Sequence, residues 1–316
     1  MDYFINMLAR PEQITTGQMD EKNVDKAMSI YLKNSVVSLC SAKNHNGDIE
    51  CLLYVNFDIG DYFTEIFKKN DIKIRRLAFG KHSMGTNYNW DIVNYRYDVM
   101  RDLIANISVD DRAIIIDTDT ICVASLTSVY NEIDSNLLLF DVQHSIDHID
   151  RKAILDNYQR IYRRPANVTH YGGEFIGANG LLLKELYQSC NQVINDANNI
   201  PDLLRWNDEH ITSIAVNKEM SGSVHNANQY IYRYWTGRGF YLASTNYIFN
   251  PVSIWHVPNE KKYGFIKIFD YFMEHNRFPE LIYIAKQFGF PKAKRPFSFR
   301  FYLGRTLNRI KQQIEH

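Results

Sequence analysis

Ala113-Ile114-Ile115-Ile116-Asp117-Thr118-Asp119-Thr120 is the stretch on which the fold turns. An unbroken apolar run of this length suits a strand buried on both faces of a parallel sheet. Ligands of such sheets bind beyond the carboxyl ends of the strands, and here two carboxylates stand at that end, two residues apart. Hard divalent cations take oxygen ligands of this kind, and Mg²⁺ or Mn²⁺ then bridges the carboxylates to a substrate diphosphate. Acidic pairs also end many strands as solvated caps. The four apolar residues before this pair favour the functional reading.

The neighbouring segments alternate in period. Asn23 to Ser41 carries Val24, Ala27, Met28, Tyr31, Leu32, Val36 and Leu39 at helical spacing. Ile49 to Phe57 reads as a strand, Asp61 to Lys69 as a short helix and Ile72 to Phe79 as a second strand. Trp90 to Ile107 returns to helical spacing through Val93, Tyr97, Met100 and Ile104, and Leu137 to Val142 reads as another buried strand. Strands alternating with helices predict an α/β domain with a mostly parallel central sheet flanked by helices.

The 316 residues carry 36 basic and 36 acidic side chains, a formal net charge of zero. That balance, with 45% hydrophobic residues, excludes a disordered chain and argues against a nucleic-acid partner. No segment reaches the roughly 18 uncharged apolar residues of a membrane span. Met1-Asp2-Tyr3-Phe4-Ile5-Asn6 lacks the basic and apolar regions of a secretion signal. Cys40, Cys51, Cys122 and Cys190 show no paired spacing, which fits buried reduced thiols and a cytoplasmic protein.

Three more segments carry candidate chemistry. His256, in Ser253-Ile254-Trp255-His256-Val257-Pro258, follows a strand-like run and could join the carboxylates as an imidazole ligand, with Lys261 and Lys262 close enough in sequence to meet a diphosphate. Tyr171-Gly172-Gly173-Glu174-Phe175-Ile176-Gly177-Ala178-Asn179-Gly180 holds four glycines, which permit close backbone approach. It reads either as a glycine-rich turn opening a sugar pocket, with Glu174 bonding hydroxyls, or as a plain tight turn between strands. In Trp206-Asn207-Asp208-Glu209-His210, Asn207 or Asp208 is a good helix N-cap. The functional reading places Asp208 or Glu209 over the reacting sugar, as general base or hydroxyl anchor.

Taken in order, these motifs resemble the GT-A glycosyltransferases, and within them the bacterial lipopolysaccharide and glycogenin-like branch. The resemblance covers roughly Lys22 to Gly264 and implies a GT-A, Rossmann-like fold. It implies that Asp117, Asp119 and His256 ligate Mn²⁺ (or Mg²⁺), that Lys262 takes the diphosphate, and that Arg96, Asp117 and Asn179 face the nucleotide-sugar donor. Asp208, Glu209 and Glu174 become the catalytic candidates. The chain departs from that branch at Gly172-Gly173-Glu174 and in the residues after His256.

The implied activity is transfer of a sugar from a nucleotide-diphosphate donor to a glycan or glycolipid acceptor, as in lipopolysaccharide or capsule synthesis, with motif order leaning to retention of configuration. The acceptor side is expected in Gln143 to His170 and Gln229 to Tyr241, which are rich in Tyr, Arg and His. Residues 1–264 are expected to form the catalytic domain and 265–316 a helical extension. Its last part, Pro291 to His316, holds seven basic residues against Glu315 alone, interleaved with aromatics. Such a tail suits an anionic membrane surface, placing the protein on the inner face of the cytoplasmic membrane, or a solvated helix packed back on the domain. The competing classes are a haloacid-dehalogenase-type phosphatase, which also uses two aspartates after a strand, and a non-catalytic glycan-binding protein of similar fold.

Overall fold

The computed structural model describes residues 1–10, 23–80, 82, 91–198, 200–204, 206–236, 252–290 and 303. The chain begins with β1 (Asp2–Leu8), α1 (Val24–His45), β2 (Glu50–Val55), α2 (Gly60–Lys69) and β3 (Ile72–Arg76). It continues through α3 (Tyr95–Asn106), β4 (Arg112–Ile116), β5 (Thr120–Cys122), α4 (Thr127–Ile133), β6 (Leu137–Asp141) and α5 (Ile149–Tyr162). Then come β7 (Tyr171–Asn179), α6 (Gly180–Ala197), α7 (Asp208–Ala215), β8 (Val224–Asn226), β9 (Ile231–Arg233), β10 (Ile254–His256), α8 (Gly264–His275) and α9 (Leu281–Gln287).

Seven strands form one sheet in the order β3-β2-β1-β4-β7-β6-β8. All run the same way except β7, which is antiparallel to both β4 and β6. The mostly parallel sheet with helices on its faces is the architecture the sequence predicts. Ile114 and Ile116 of β4 face one core, with Phe4, Leu53 and α1, while Ala113 and Ile115 face the other, with Ile5, Leu52 and α3. Burying each isoleucine contributes about 1.5–3 kcal/mol.

Two segments differ from the sequence reading. Residues 2–8 form an interior strand, between β2 and β4, a place their sequence does not announce. The glycine-rich segment is neither a sugar-binding turn nor a tight turn but the long strand β7, because its backbone pairs residue for residue with β4 from Phe175 to Asn179.

A second sheet, β5-β10-β9, sits beside the first. Its register sets His256 opposite Thr120, one residue beyond Asp119. The α1 helix anchors this sheet: the Ser38 and Thr120 hydroxyls lie 2.9 Å apart, and the Cys122 N–H donates to the Ser41 hydroxyl at 2.9 Å.

Phe265, Ile268, Phe269 and Phe288, on or just after α8 and α9, share the core that holds Phe4 and Ile114. Residues 265–290 therefore pack into the body of the protein. Residues 291–302 and 304–316, the expected basic tail, lie outside the described residues, as do residues 237–251 of the expected acceptor region and its border. All four cysteines are buried free thiols. Among the described residues, no helix is long and apolar enough to cross a membrane.

Candidate active site

Strand β4 delivers Asp117 to the crevice beyond the sheet, and the turn into β5 delivers Asp119. The main chain fixes this turn. Asn6 of β1 donates from its amide to the Ile116 carbonyl at 3.1 Å, the Thr120 hydroxyl donates to the Asp117 carbonyl at 2.8 Å, and the Val257 N–H donates to the Asp119 carbonyl at 3.0 Å. The last bond ties the motif to the strand end that carries His256.

The side chains converge accordingly. His256 Nε2 lies 3.2 Å from Asp119 Oδ2 and 3.9 Å from Asp117 Oδ2, while its Nδ1 lies 3.3 Å from Glu174 Oε1. One ligand atom from each of Asp117, Asp119 and His256 falls within 4.8 Å of the others. Lys261, buried after the short turn Pro258–Glu260, sets its ammonium on Asp119. Lys262 is half-buried next to it.

Arg96 of α3, only 3% exposed, joins the far side. Its guanidinium pairs with Asp208 at 2.6 Å, reaches toward Asp117 at 3.8 Å and donates to the Gly173 carbonyl. Asn207 caps α7 by accepting the His210 N–H at 3.0 Å, and this aims Asp208 and Glu209 at the same crevice. Gly173 is required here, since a Cβ would stand 2.6 Å from Asp208 Oδ2.

Asn179 is not brought in. It pairs across the sheet with Arg112, at the opposite end of β4 from Asp117 and about 13 Å from the level of Ile116. Its side chain caps α6, accepting from Leu182 N–H at 2.8 Å.

Two residues that sequence reasoning did not single out complete the site. Arg233, the last residue of β9, grips Glu174 with hydrogen bonds of 2.6 and 2.5 Å and reaches Glu209 at 3.3 Å. His170 lies 3.0 Å from Glu209, whose other oxygen accepts the Gly173 N–H at 3.1 Å. Both come from the two segments expected on the acceptor side, but no local spacing marks them.

Electrostatics follow from this packing. Asp117, Asp119, Glu174, Asp208 and Glu209 are five carboxylates set against three permanent cations, Arg96, Arg233 and Lys261, a formal −2. Burial and the neighbouring Asp119 push Asp117 up to about 7, although 37% of its side chain is exposed. Burial alone would lower His256, but Asp119 and Glu174 outweigh it and raise its pKa to about 9. Burial would likewise raise Glu174, and Arg233 and His256 instead hold it down at about 2. His170 and Arg233 hold Glu209 well below the usual range against the cost of burial. His144 goes the other way: burial, His170 and His148 push it down to about 4.

His256 retains its proton because the Asp119 and Glu174 carboxylates face it, so negative charge is in excess around the imidazole. A divalent ion bound by Asp117, Asp119 and His256 would offset that excess, and this mixed oxygen and nitrogen donor set suits Mn²⁺ or Mg²⁺. The residues present therefore fit the ion that the sequence implies.

No family model matches the chain, and no curated protein matches it. Solved structures do. The galactosyltransferase LgtC in complex with donor and acceptor sugar analogs superposes with a TM-score of 0.51, covering 81% of this chain and 87% of that one at 12% identity. An active-site mutant of LgtC gives the same TM-score and coverage at 14% identity. The fold is GT-A. The GT-A sheet carries the carboxylate and imidazole cluster at the carboxyl end of β4, the edge where parallel sheets bind ligands.

Proposed function

We propose that the protein is a metal-dependent glycosyltransferase that moves a sugar from a nucleotide-diphosphate donor to a surface-glycan acceptor of the lipopolysaccharide or capsule kind. One observation carries the reading: Asp117, Asp119 and His256 meet at the ligand-binding edge of a GT-A sheet. Residues 1–264 form the catalytic domain in this reading, and the basic tail holds the enzyme against the inner face of the cytoplasmic membrane.

Asp117, Asp119 and His256 would hold the ion, which would supply Lewis-acid neutralisation of the leaving diphosphate. Lys261, which pairs with Asp119, and Lys262 add positive charge on the side where the diphosphate departs. Arg96 orients Asp208 and faces the donor.

Retention of configuration is favoured, because both acidic residues of α7 are engaged by basic partners, although burial raises the pKa of Asp208. Asp208 is already bound by Arg96, and Glu209, bound by His170, Arg233 and Gly173, has a depressed pKa that makes it a weak base. Both suit hydroxyl anchoring. The acceptor oxygen then bonds to the anomeric carbon as the bond to the diphosphate breaks, and the acceptor proton passes to the departing phosphate oxygen.

Thermal stability against a panel of nucleotide sugars, with and without Mn²⁺, tests the proposal on wild type and Asp119→Ala. A ligand that binds only the folded state raises the midpoint. A Mn²⁺-dependent rise with one donor, absent in the variant, is expected. No rise with any donor in folded wild-type protein would overturn the reading.

A further inference from the structure

Beside the proposed catalytic centre, three imidazoles crowd together at the start of α5. The His144 and His148 rings stack with centroids 3.4 Å apart at 21°, and His144 Nδ1 lies 3.0 Å from His170 Nδ1. His148 caps α5, and its Nδ1 lies 3.6 Å from Asp150 Oδ2. One ligand atom each from His144, His148 and Asp150 falls within 4.8 Å of the others, and all three residues are only half-buried, so an ion could enter from solvent.

We propose that His144, His148 and Asp150 form a second cation site, for a borderline transition metal of the Zn²⁺ type, separate from the Asp117, Asp119 and His256 set. The spacing suits it. Two ligands each about 2.0–2.1 Å from a tetrahedral Zn²⁺ stand about 3.3 Å apart, close to the separation of His148 Nδ1 and Asp150 Oδ2, and the ion would take the Nδ1 lone pair that now accepts the Asp150 N–H at 3.3 Å. Hydrogen bonding also fixes the proton positions. The Glu209 carboxylate only accepts, so His170 Nε2 donates to it at 3.0 Å. In neutral His170 the Nδ1 is then an acceptor and takes the proton of His144 Nδ1, leaving the lone pair of His144 on Nε2.

A ligating histidine that donates its other N–H to a polar partner, backed in turn by a carboxylate, is the usual support of a metal site. Here that support runs His144 to His170 to Glu209. Two imidazoles with one carboxylate prefer Zn²⁺ over Mg²⁺, whereas two carboxylates with one imidazole favour harder ions. Three protein ligands leave a fourth position for water or a substrate hydroxyl.

The test is Zn²⁺ titration by calorimetry on Asp119→Ala protein, which lacks a key ligand of the first set and gives a readout independent of any sugar donor. One Zn²⁺ per chain is expected, undisturbed by millimolar Mg²⁺. Adding His144→Ala should abolish it, and adding Asp150→Asn, which keeps the side-chain shape, should weaken it by at least tenfold. Absence of Zn²⁺ binding in Asp119→Ala protein, or binding unchanged by His144→Ala, overturns the proposal. If His144→Ala fails to fold, unchanged affinity in Asp150→Asn overturns it equally.

Discussion

Arg233 and Glu174 meet fork to fork, through parallel hydrogen bonds of 2.6 and 2.5 Å, with the carboxylate fully buried. Removing one partner of such a pair strands a charge in a medium of low dielectric, which costs about 3–5 kcal/mol. Arg233→Ala should lose stability on that scale in urea denaturation. Arg233→Lys, which cannot reproduce the fork, should fall between the alanine variant and wild type.

The same pair sets an acid limit. Glu174 has its folded pKa lowered to about 2 from an ordinary 4.5, so its contribution to stability is complete above pH 4.5 and is lost as pH falls toward 2. Denaturation midpoints measured from pH 5 to pH 3 should drop in wild type, and less steeply in Arg233→Ala.

Metal affinity should run with pH in the same direction for a different reason. Asp117, at about 7, and His256, at about 9, must both release protons to act as ligands. Mn²⁺ affinity, followed by paramagnetic resonance, should therefore rise from pH 6 to pH 9, by about tenfold per unit for each proton released. Asp117→Asn should bind Mn²⁺ more weakly and flatten the lower part of that rise.

Gly173→Ala places a methyl group 2.6 Å from Asp208 Oδ2 and 3.2 Å from Arg96 Nη1. Both belong to buried side chains, so the crowding is relieved only by parting that ion pair. Overpacking of this kind costs about 1–3 kcal/mol. Thermal denaturation should show the loss, and steady-state transfer should show a larger fall in kcat than the stability change alone explains.

The helices α1, α2 and α3 and the motif after β4 were legible in the sequence because each announces itself locally, whereas α4, α5 and α6 were not read. The α1 helix has a 3.6-residue apolar rhythm, and β4 has four apolar residues ending in carboxylates. The interior strand β1 was not legible, since a short apolar segment buried on both faces carries no period of its own. Glycine density suggested a turn at 172–177. Those glycines instead leave room in a strand for Glu174, Arg233, Asp208 and Arg96. Arg233 and His170 reach Glu209 across 24 and 39 residues, and no spacing rule spans such distances. The two adjacent lysines, Lys261 and Lys262, read alike in sequence, and only the turn at Pro258–Glu260 decides which ammonium meets Asp119.

The placement of β1 between β2 and β4 also bears on how the protein is made. Asp2 pairs with Arg112 across 110 residues. At ribosomal rates of about 5–20 residues per second, roughly 5–20 s pass before β4 is synthesised. During that interval Phe4 and Ile5 lack the strand that will pair with them through Ile114 and Ile115. The nascent chain therefore carries an apolar segment that chaperones at the ribosome would have reason to shield, and a circularly permuted chain that begins between β1 and β4, so that β4 is already made when β1 emerges, should aggregate less during synthesis.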